Sequence, residues 1–161
     1  MIITAREFAT RAHNGQLYGA APYTTHLDAV AALVGPDDVA RIVAYLHDVV
    51  EDTSVGLQEV EARFGRYVAE CVGLLTDGPG VNRKERKAAS HAKLAAVGPE
   101  HHTALLVKAA DRLANLEACV ATGNEGLLAM YRREHEAFRR AAYRPGLCNE
   151  LWERIDRIIG V

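Results

Sequence analysis

The stretch His47-Asp48-Val49-Val50-Glu51-Asp52-Thr53 packs four side chains that can bind a cation or carry a proton into six positions. On a helix, residues three and four apart share a face. His47 therefore falls beside Glu51, and Asp48 beside both Glu51 and Asp52. Carboxylates crowded this closely repel one another unless a cation or a shared proton offsets their charge. The run reads as a metal site with acid/base residues attached, near the C-terminal end of a helix expected over 38–50.

On both sides of this run the chain reads as helices. Apolar residues at helical spacing cover Ile2 to Ala12 and stop at Asn14-Gly15. A loop with Gly19-Ala20-Ala21-Pro22 leads to Thr24 or Thr25 as the N-cap of a helix through Leu33. Gly35-Pro36-Asp37-Asp38 closes that helix and opens the next, with Pro36 expected in its first turn and acids at the positive dipole end. Helices follow over 57–64 and 66–75, broken at Gly65. The cluster Thr76-Asp77-Gly78-Pro79-Gly80 is a turn. Asn82 then caps a basic helix to about Val97, and Gly98-Pro99 punctuates again. A long helix over 103–122 ends at Gly123, and helices over 127–142 and 147–159 complete the chain. There is no period-2 run and no hairpin signal, so no strand is expected.

With 161 residues the chain fits one domain, 1–161, with a sizeable core. Its hydrophobic share of 49% and charged share of 25% are those of a water-soluble protein. A formal charge of -2 argues against a general nucleic-acid binder but not against one small phosphorylated ligand. Cys71, Cys119 and Cys148 are odd in number and lack CxxC spacing, so buried free thiols in a reducing compartment are expected. Neither a signal-peptide core nor an apolar run long enough for a membrane span is present, which points to the cytoplasm.

A metal needs donors from separate elements. His26, in the phrase PYTTH, opens the helix before the motif. Asp111, in VKAADRLANL, lies on an otherwise apolar face among Ala109, Ala110, Leu113 and Ala114. A carboxylate there is costly unless paired or metal-bound. Two imidazoles with two carboxylates suit Mn, Fe or Zn, with positions left for water and substrate. Lys108 and Asn115 share the face of Asp111, at i-3 and i+4. Arg83, Lys84, Arg86 and Lys87 can hold phosphate oxygens. Tyr18 can stack on a base. His13, His91, His101, His102 and His135 are assigned no metal role.

The order His26, His47-Asp48, Asp111 resembles the H…HD…D signature of HD phosphohydrolases. HNGQ, PYTTH, YLHDVVEDT, Phe64-Gly65, LLTD and LVKAADRLANL recur in the order found in the RelA/SpoT hydrolase domain. The resemblance spans about residues 5–120 and is nearest to stand-alone small alarmone hydrolases of the metazoan SpoT-homologue type. It implies an all-α fold: a single HD-domain helical bundle of eight to ten helices. It also implies a Mn-dependent hydrolase that removes the 3′-pyrophosphate from (p)ppGpp, a small-molecule nucleotide. His26, His47, Asp48 and Asp111 match the metal ligands of that family. Glu51 and Asp52 match the pair that activates and orients the attacking water, and Asn115 matches a nucleotide contact.

The chain departs from the family where the nucleotide is read. The segment Gln16-Leu17-Tyr18-Gly19-Ala20-Ala21-Pro22 carries no charge, where family members have basic residues. Leu116-Glu117-Ala118 follow Asn115 without the arginine and threonine of bifunctional members, and Leu27 stands for a proline after the first histidine. Two other outcomes stay open. One is an HD phosphohydrolase acting on NADPH or a nucleoside monophosphate; the other is a metal-bound nucleotide sensor that does not hydrolyse its ligand.

Overall fold

Apolar spacing and end signals build the helices named above, and a computed structural model describes residues 1–78 and 80–161. Pro79 of the expected turn lies outside the described residues. The order is α1 (Ile2–Ala12), β1 (Leu17–Tyr18), β2 (Ala21–Pro22), α2 (Thr24–Leu33), α3 (Asp38–Leu46) and the one-turn α4 (Val49–Asp52). Then come α5 (Leu57–Phe64), α6 (Arg66–Leu75), α7 (Arg83–Ala95), a 3₁₀ turn Pro99–His101, α8 (His102–Thr122), α9 (Glu125–Ala142) and α10 (Asn149–Ile159). The all-α expectation of eight to ten helices holds.

Helix α8 is the axis of the fold, packing against α2, α3, α6, α9 and α10. Its buried face is built from small and branched residues, including Ala104, Leu105, Val107, Ala109, Ala110, Leu113, Ala114 and Leu116. The alanines let neighbouring backbones come close, and the branched residues fill the space between. Gly123 ends α8 in the left-handed conformation (φ 64°), which costs a residue without Cβ little. At the far side Trp152 of α10 packs on Phe138 of α9 with ring centroids 5.3 Å apart. One hydrophobic cluster runs from Ala5 to Ile159 through these helices.

Several local expectations are corrected. The helix expected over 38–50 breaks after Leu46, and Asp48 takes bridge-region backbone angles (φ -102°, ψ -4°) before α4 begins. Adjacent residues on an unbroken helix point about 100° apart, so this break is what lets His47 and Asp48 face one centre. Pro36 precedes the helix rather than sitting in its first turn; Asp37 is the N-cap and accepts from Ala40 N at 2.7 Å. Neither Thr24 nor Thr25 caps α2: Tyr23 is the N-cap, and its carbonyl accepts from His26 N at 3.0 Å. A two-residue antiparallel ladder pairs Leu17 with Pro22 and Tyr18 with Ala21. It is too short to leave a period-2 signal. Helix α9 starts earlier than expected because Asn124 caps it, accepting from Leu127 N. Helix α10 starts later, since Gly146 and Cys148 both have positive φ. Cys71 and Cys119 are buried free thiols as expected, whereas Cys148 is half-buried. Among the described residues no helix is long and apolar enough to cross a membrane.

Gly65 joins α5 to α6 with φ 92° and ψ 161°, a region open essentially to glycine alone. No side chain crowds it, so the cost of a Cβ there is backbone strain. Gly65→Ala should lower unfolding free energy by about 1–3 kcal/mol in urea denaturation. An unchanged midpoint would contradict this.

Candidate metal centre

Three helices deliver the four expected ligands to one point. His26 comes from the first turn of α2, His47 and Asp48 from the break after α3, and Asp111 from the middle of α8. Candidate ligand atoms of His26, His47 and Asp48 all lie within 4.8 Å of one another. His26 Nε2 is 3.8 Å from Asp48 Oδ2 and 3.3 Å from Asp111 Oδ1. His47 Nε2 is 2.9 Å from Asp48 Oδ2 and 3.7 Å from Asp111 Oδ1. Both imidazoles are buried, while the two carboxylates keep a small exposed edge, 18% and 15% of their side chains.

The residues fit a divalent metal. His47 Nδ1 donates to Ala44 O at 2.7 Å, which fixes the ring and turns Nε2 inward. That Nε2 is buried and makes no hydrogen bond, although Asp48 lies close, so it is an unspent donor atom aimed at the carboxylates. The electrostatics agree. Burial disfavours an imidazolium at His47, yet Asp48 and then Asp111 outweigh it and raise its pKa to about 10. Burial pushes Asp48 up, but His47 wins and holds the carboxyl at about 2. Burial likewise opposes charge on Asp111, and Lys108 with the two histidines brings it well below the usual carboxylate range. The cluster is built for positive charge at its centre, and a metal supplies that charge in place of a proton.

A cleft of about 290 Å³ opens onto this centre. His26, Asp48, Glu51, Lys108, Asp111 and Asn115 line it, all of them expected site residues. Lys108 Nζ lies 3.3 Å from Asp111 Oδ2, and Asn115 Nδ2 donates to Asp111 Oδ1 at 2.7 Å. Glu51 accepts from the backbone N–H of Asp77 at 2.9 Å; burial, outweighing that bond, raises its pKa above the ordinary glutamate value. Asp52 sits at the rim outside the lining. Burial and then the neighbouring Asp48 raise its pKa, and it meets the cluster through Tyr23. The Tyr23 hydroxyl donates to Asp48 Oδ2 at 2.6 Å and lies 3.4 Å from Asp52 Oδ2.

Tyr18 is placed differently from a free stacking platform. Its ring already stacks on His26, with centroids 4.8 Å apart, and its hydroxyl donates to Asn115 Oδ1 at 2.7 Å. The basic run splits. Arg83 and Lys87, one helical turn apart on α7, line the cleft, whereas Lys84 faces a neighbouring groove towards α9 and Arg86 lines neither. Grouping 83–87 by sequence ignored the 3.6-residue period that separates these faces. Glu117 does not face the cleft; it is bonded by Arg154 of α10. Three further residues, Tyr23, Arg112 and Tyr131, line the cleft without being expected as site residues. Arg112 and Tyr23 were hidden inside motif phrases, and Tyr131 arrives from α9, beyond the recognisable motifs. The i, i+3, i+4, i+7 spacing of Lys108, Asp111, Arg112 and Asn115 would have marked Arg112.

Helices that converge on a buried His/Asp cluster define a class of metal-centred all-α folds. A model of the HD domain family matches residues 5–147, and the chain belongs to that family. It is 32% identical over 145 residues to guanosine-3′,5′-bis(diphosphate) 3′-pyrophosphohydrolase MESH1 of Danio rerio, covering 84% of this chain and 78% of that protein. To the Homo sapiens MESH1 it is 36% identical over 123 residues, 71% of this chain and 67% of that protein. A probable guanosine-3′,5′-bis(diphosphate) 3′-pyrophosphohydrolase of Synechocystis sp. is 31% identical over 141 residues. That match takes in 84% of this chain but 19% of the relative, so the chain spans about a fifth of such long bacterial proteins. The solved structure of a metazoan orthologue of SpoT has the same fold, with TM-score 0.76 at 23% identity over 97% of this chain and 93% of that one.

Purified protein should carry one equivalent of a divalent transition metal by elemental analysis. Asp48→Ala and His47→Ala should weaken metal affinity by at least the roughly 10- to 100-fold that loss of a supporting group costs, while the far-ultraviolet circular dichroism stays helical. Full metal retention by both variants would contradict the ligand assignment.

Proposed function

We propose that this chain is a metal-dependent phosphohydrolase that removes the 3′-pyrophosphate from (p)ppGpp, with Mn as the preferred metal and Fe or Zn as substitutes. The observation that carries this reading is one cleft with His26, Asp48 and Asp111 on its floor, His47 buried beneath them, Glu51 on its wall and cations around it. The reaction named for MESH1 and the bacterial relatives is the one such a cleft serves. A divalent metal on these four residues supplies a Lewis acid for the phosphoryl oxygens and lowers the pKa of water.

The chain's own groups do the rest. The Asp77 N–H holds Glu51 in place, and its raised pKa keeps it basic enough to take a proton from the attacking water. Asp52, through Tyr23, keeps negative charge at the rim and helps orient that water. The water oxygen bonds to the ribose-linked phosphorus as the bond from that phosphorus to the 3′-oxygen breaks. The 3′-oxygen leaves as a hydroxyl, taking back the proton that Glu51 accepted, and the released pyrophosphate carries the water oxygen. Lys108, Arg83 and Lys87 hold phosphate oxygens against the repulsion of the carboxylates. Arg83 and Lys87 are themselves oriented by Glu134 and Asp77.

The nucleoside has a place to lie. Beside the cleft, and sharing Asn115 with it, runs a groove of about 470 Å³ lined by Tyr18, Ala20, Ala21, Ala118, Cys119 and Leu127. None of the side chains lining that groove is charged. Tyr18 stacked on His26 forms the partition between groove and metal centre. This neutrality also favours the second reading, in which the base and phosphates differ from those of (p)ppGpp, as in NADPH or a nucleoside monophosphate. Phosphate and pyrophosphate release measured over the three substrates separates them. Turnover of ppGpp alone supports the first reading, and turnover confined to another compound overturns it. Tight ppGpp binding without product would make the chain a sensor.

Glu51→Gln should lower kcat by about 10²- to 10⁴-fold with metal retained. Protonated Glu51 cannot accept a proton, so activity falls as pH drops through its pKa. Because that pKa is raised, the acid limb of kcat/KM should lie above the ordinary glutamate value of about 4.3 and vanish in Glu51→Gln. A limb at or below that value, or one that persists in the variant, would contradict the assignment.

A further inference from the structure

Helix α4 is a single turn of four residues, and it carries both Glu51 and Asp52. One turn is too short to hold itself, so its place is set by what grips it from outside. Val49 is buried on one side, and Glu51 is tied to the Asp77 N–H. The remaining grip comes from a segment 36 residues earlier. Gln16 Nε2 donates to the Asp52 carbonyl at 2.7 Å, one of the carbonyls that the end of a helix leaves unpaired. Gln16 Oε1 is therefore the acceptor in its 2.8 Å contact with His13, and His13 Nδ1 carries the proton. Backbone bonds fasten Gln16 on both sides: its N–H donates to His13 O at 3.0 Å, and its carbonyl accepts from Tyr23 N at 3.1 Å. His13 is the C-cap of α1, 3% exposed, and lines no part of the cleft. With Nδ1 protonated, its Nε2 is a buried lone pair without a hydrogen bond. An apolar side chain would avoid that cost but lose the bond to Gln16. The imidazole also stacks on Tyr23, with centroids 4.5 Å apart, and Tyr23 in turn donates to Asp48.

We propose that His13 and Gln16 are positioning residues that fix the C-terminal end of α4, and with it Glu51 and Asp52, in register with the metal ligands. Neither touches the reacting atoms. His13 aligns the Gln16 amide, Gln16 pins the Asp52 carbonyl, and the His13 ring braces Tyr23 between Asp48 and Asp52. Without this chain only Val49 and the Asp77 bond hold α4. A displacement of about 1 Å at groups that must meet the attacking water can cost about a hundred-fold in rate. The catalytic consequence rests on the pyrophosphohydrolase reading; the pinning of α4 does not.

Amide hydrogen exchange and steady-state kinetics of the metal-loaded protein test this side by side. Gln16→Leu should speed exchange over residues 50–53 by up to about ten-fold, the equivalent of one hydrogen bond, while α3 and α8 stay protected. With ppGpp it should lower kcat by about 10- to 100-fold, the range for a lost supporting group, with KM within about two-fold and metal content unchanged. His13→Ala should do the same. His13→Asn, whose amide donates from near the imidazole Nδ1 position, should recover most of the loss. Unchanged exchange over 50–53 in Gln16→Leu overturns the proposal. So does a wild-type kcat in that variant, or a fall in kcat that comes with lost metal or a raised KM. Equal losses in His13→Ala and His13→Asn would overturn the part assigned to His13 and reduce it to packing. Failure of the wild type to hydrolyse ppGpp would instead defeat the reaction assigned above, and the exchange result alone then decides whether Gln16 pins α4.

Discussion

Two buried carboxylates facing two buried imidazoles form the constraint around which this molecule is organised. Asp48 and Asp111 are nearly removed from water, and charge in that setting is tolerated only with compensation close by. Lys108 supplies part of it at 3.3 Å from Asp111, and the convergent histidine Nε2 atoms supply the frame for a cation. Geometry that demanding cannot rest on loops. The ligands stand among fully buried neighbours, Leu27 and Val30 beside His26, Leu46 and Val49 beside His47, and Ala110 and Leu113 around Asp111. The apolar core therefore acts as the clamp of the metal centre, and the break after Leu46 is the one irregularity the centre requires.

Charge is arranged in layers around that point. On one wall Glu51 is tied to the Asp77 backbone, and the Asp77 side chain is tied in turn to Lys87 and Ser90. On another, Arg83 and Glu134 connect α7 to α9, with Arg112 clamped behind them. The third side, by Tyr18, is neutral and apolar. The first two walls suit a phosphate-rich group and the third an uncharged flat one, the asymmetry of the nucleotide proposed as substrate. The C-terminal helices belong to this plan. Tyr131 of α9 lines the cleft, Glu134 holds Arg83 and Phe138 packs on Arg112, while α10 anchors α8 through Arg154 and Glu117.

Much of this was legible in residue order because ligand chemistry needs particular side chains at particular spacings. His26, His47, Asp48 and Asp111 stood out as polar residues in apolar helical surroundings, and Glu51, Lys108 and Asn115 shared their faces. Helix ends marked by Asn82, Gly65 and Gly123 were equally plain, since capping and positive φ restrict residue choice. What stayed hidden depends on three-dimensional approach. Tyr23 has no ligand chemistry of its own in the sequence, and only the fold brings its hydroxyl to Asp48. Tyr131 has no local pattern, because only the folding of α9 across α8 brings it to the cleft. The segment after Gln16 carries no charge, and its short ladder sets Tyr18 against His26 and Asn115 as a partition that residue order alone does not show.

The central claim is that one metal ion sits where α2, the break after α3, and α8 converge. Anomalous diffraction from crystals of the Mn-loaded protein tests it most directly. A single strong peak should appear within bonding distance of His26, His47, Asp48 and Asp111 together. A peak elsewhere, or bonding to only some of these four with the others turned away, would contradict it.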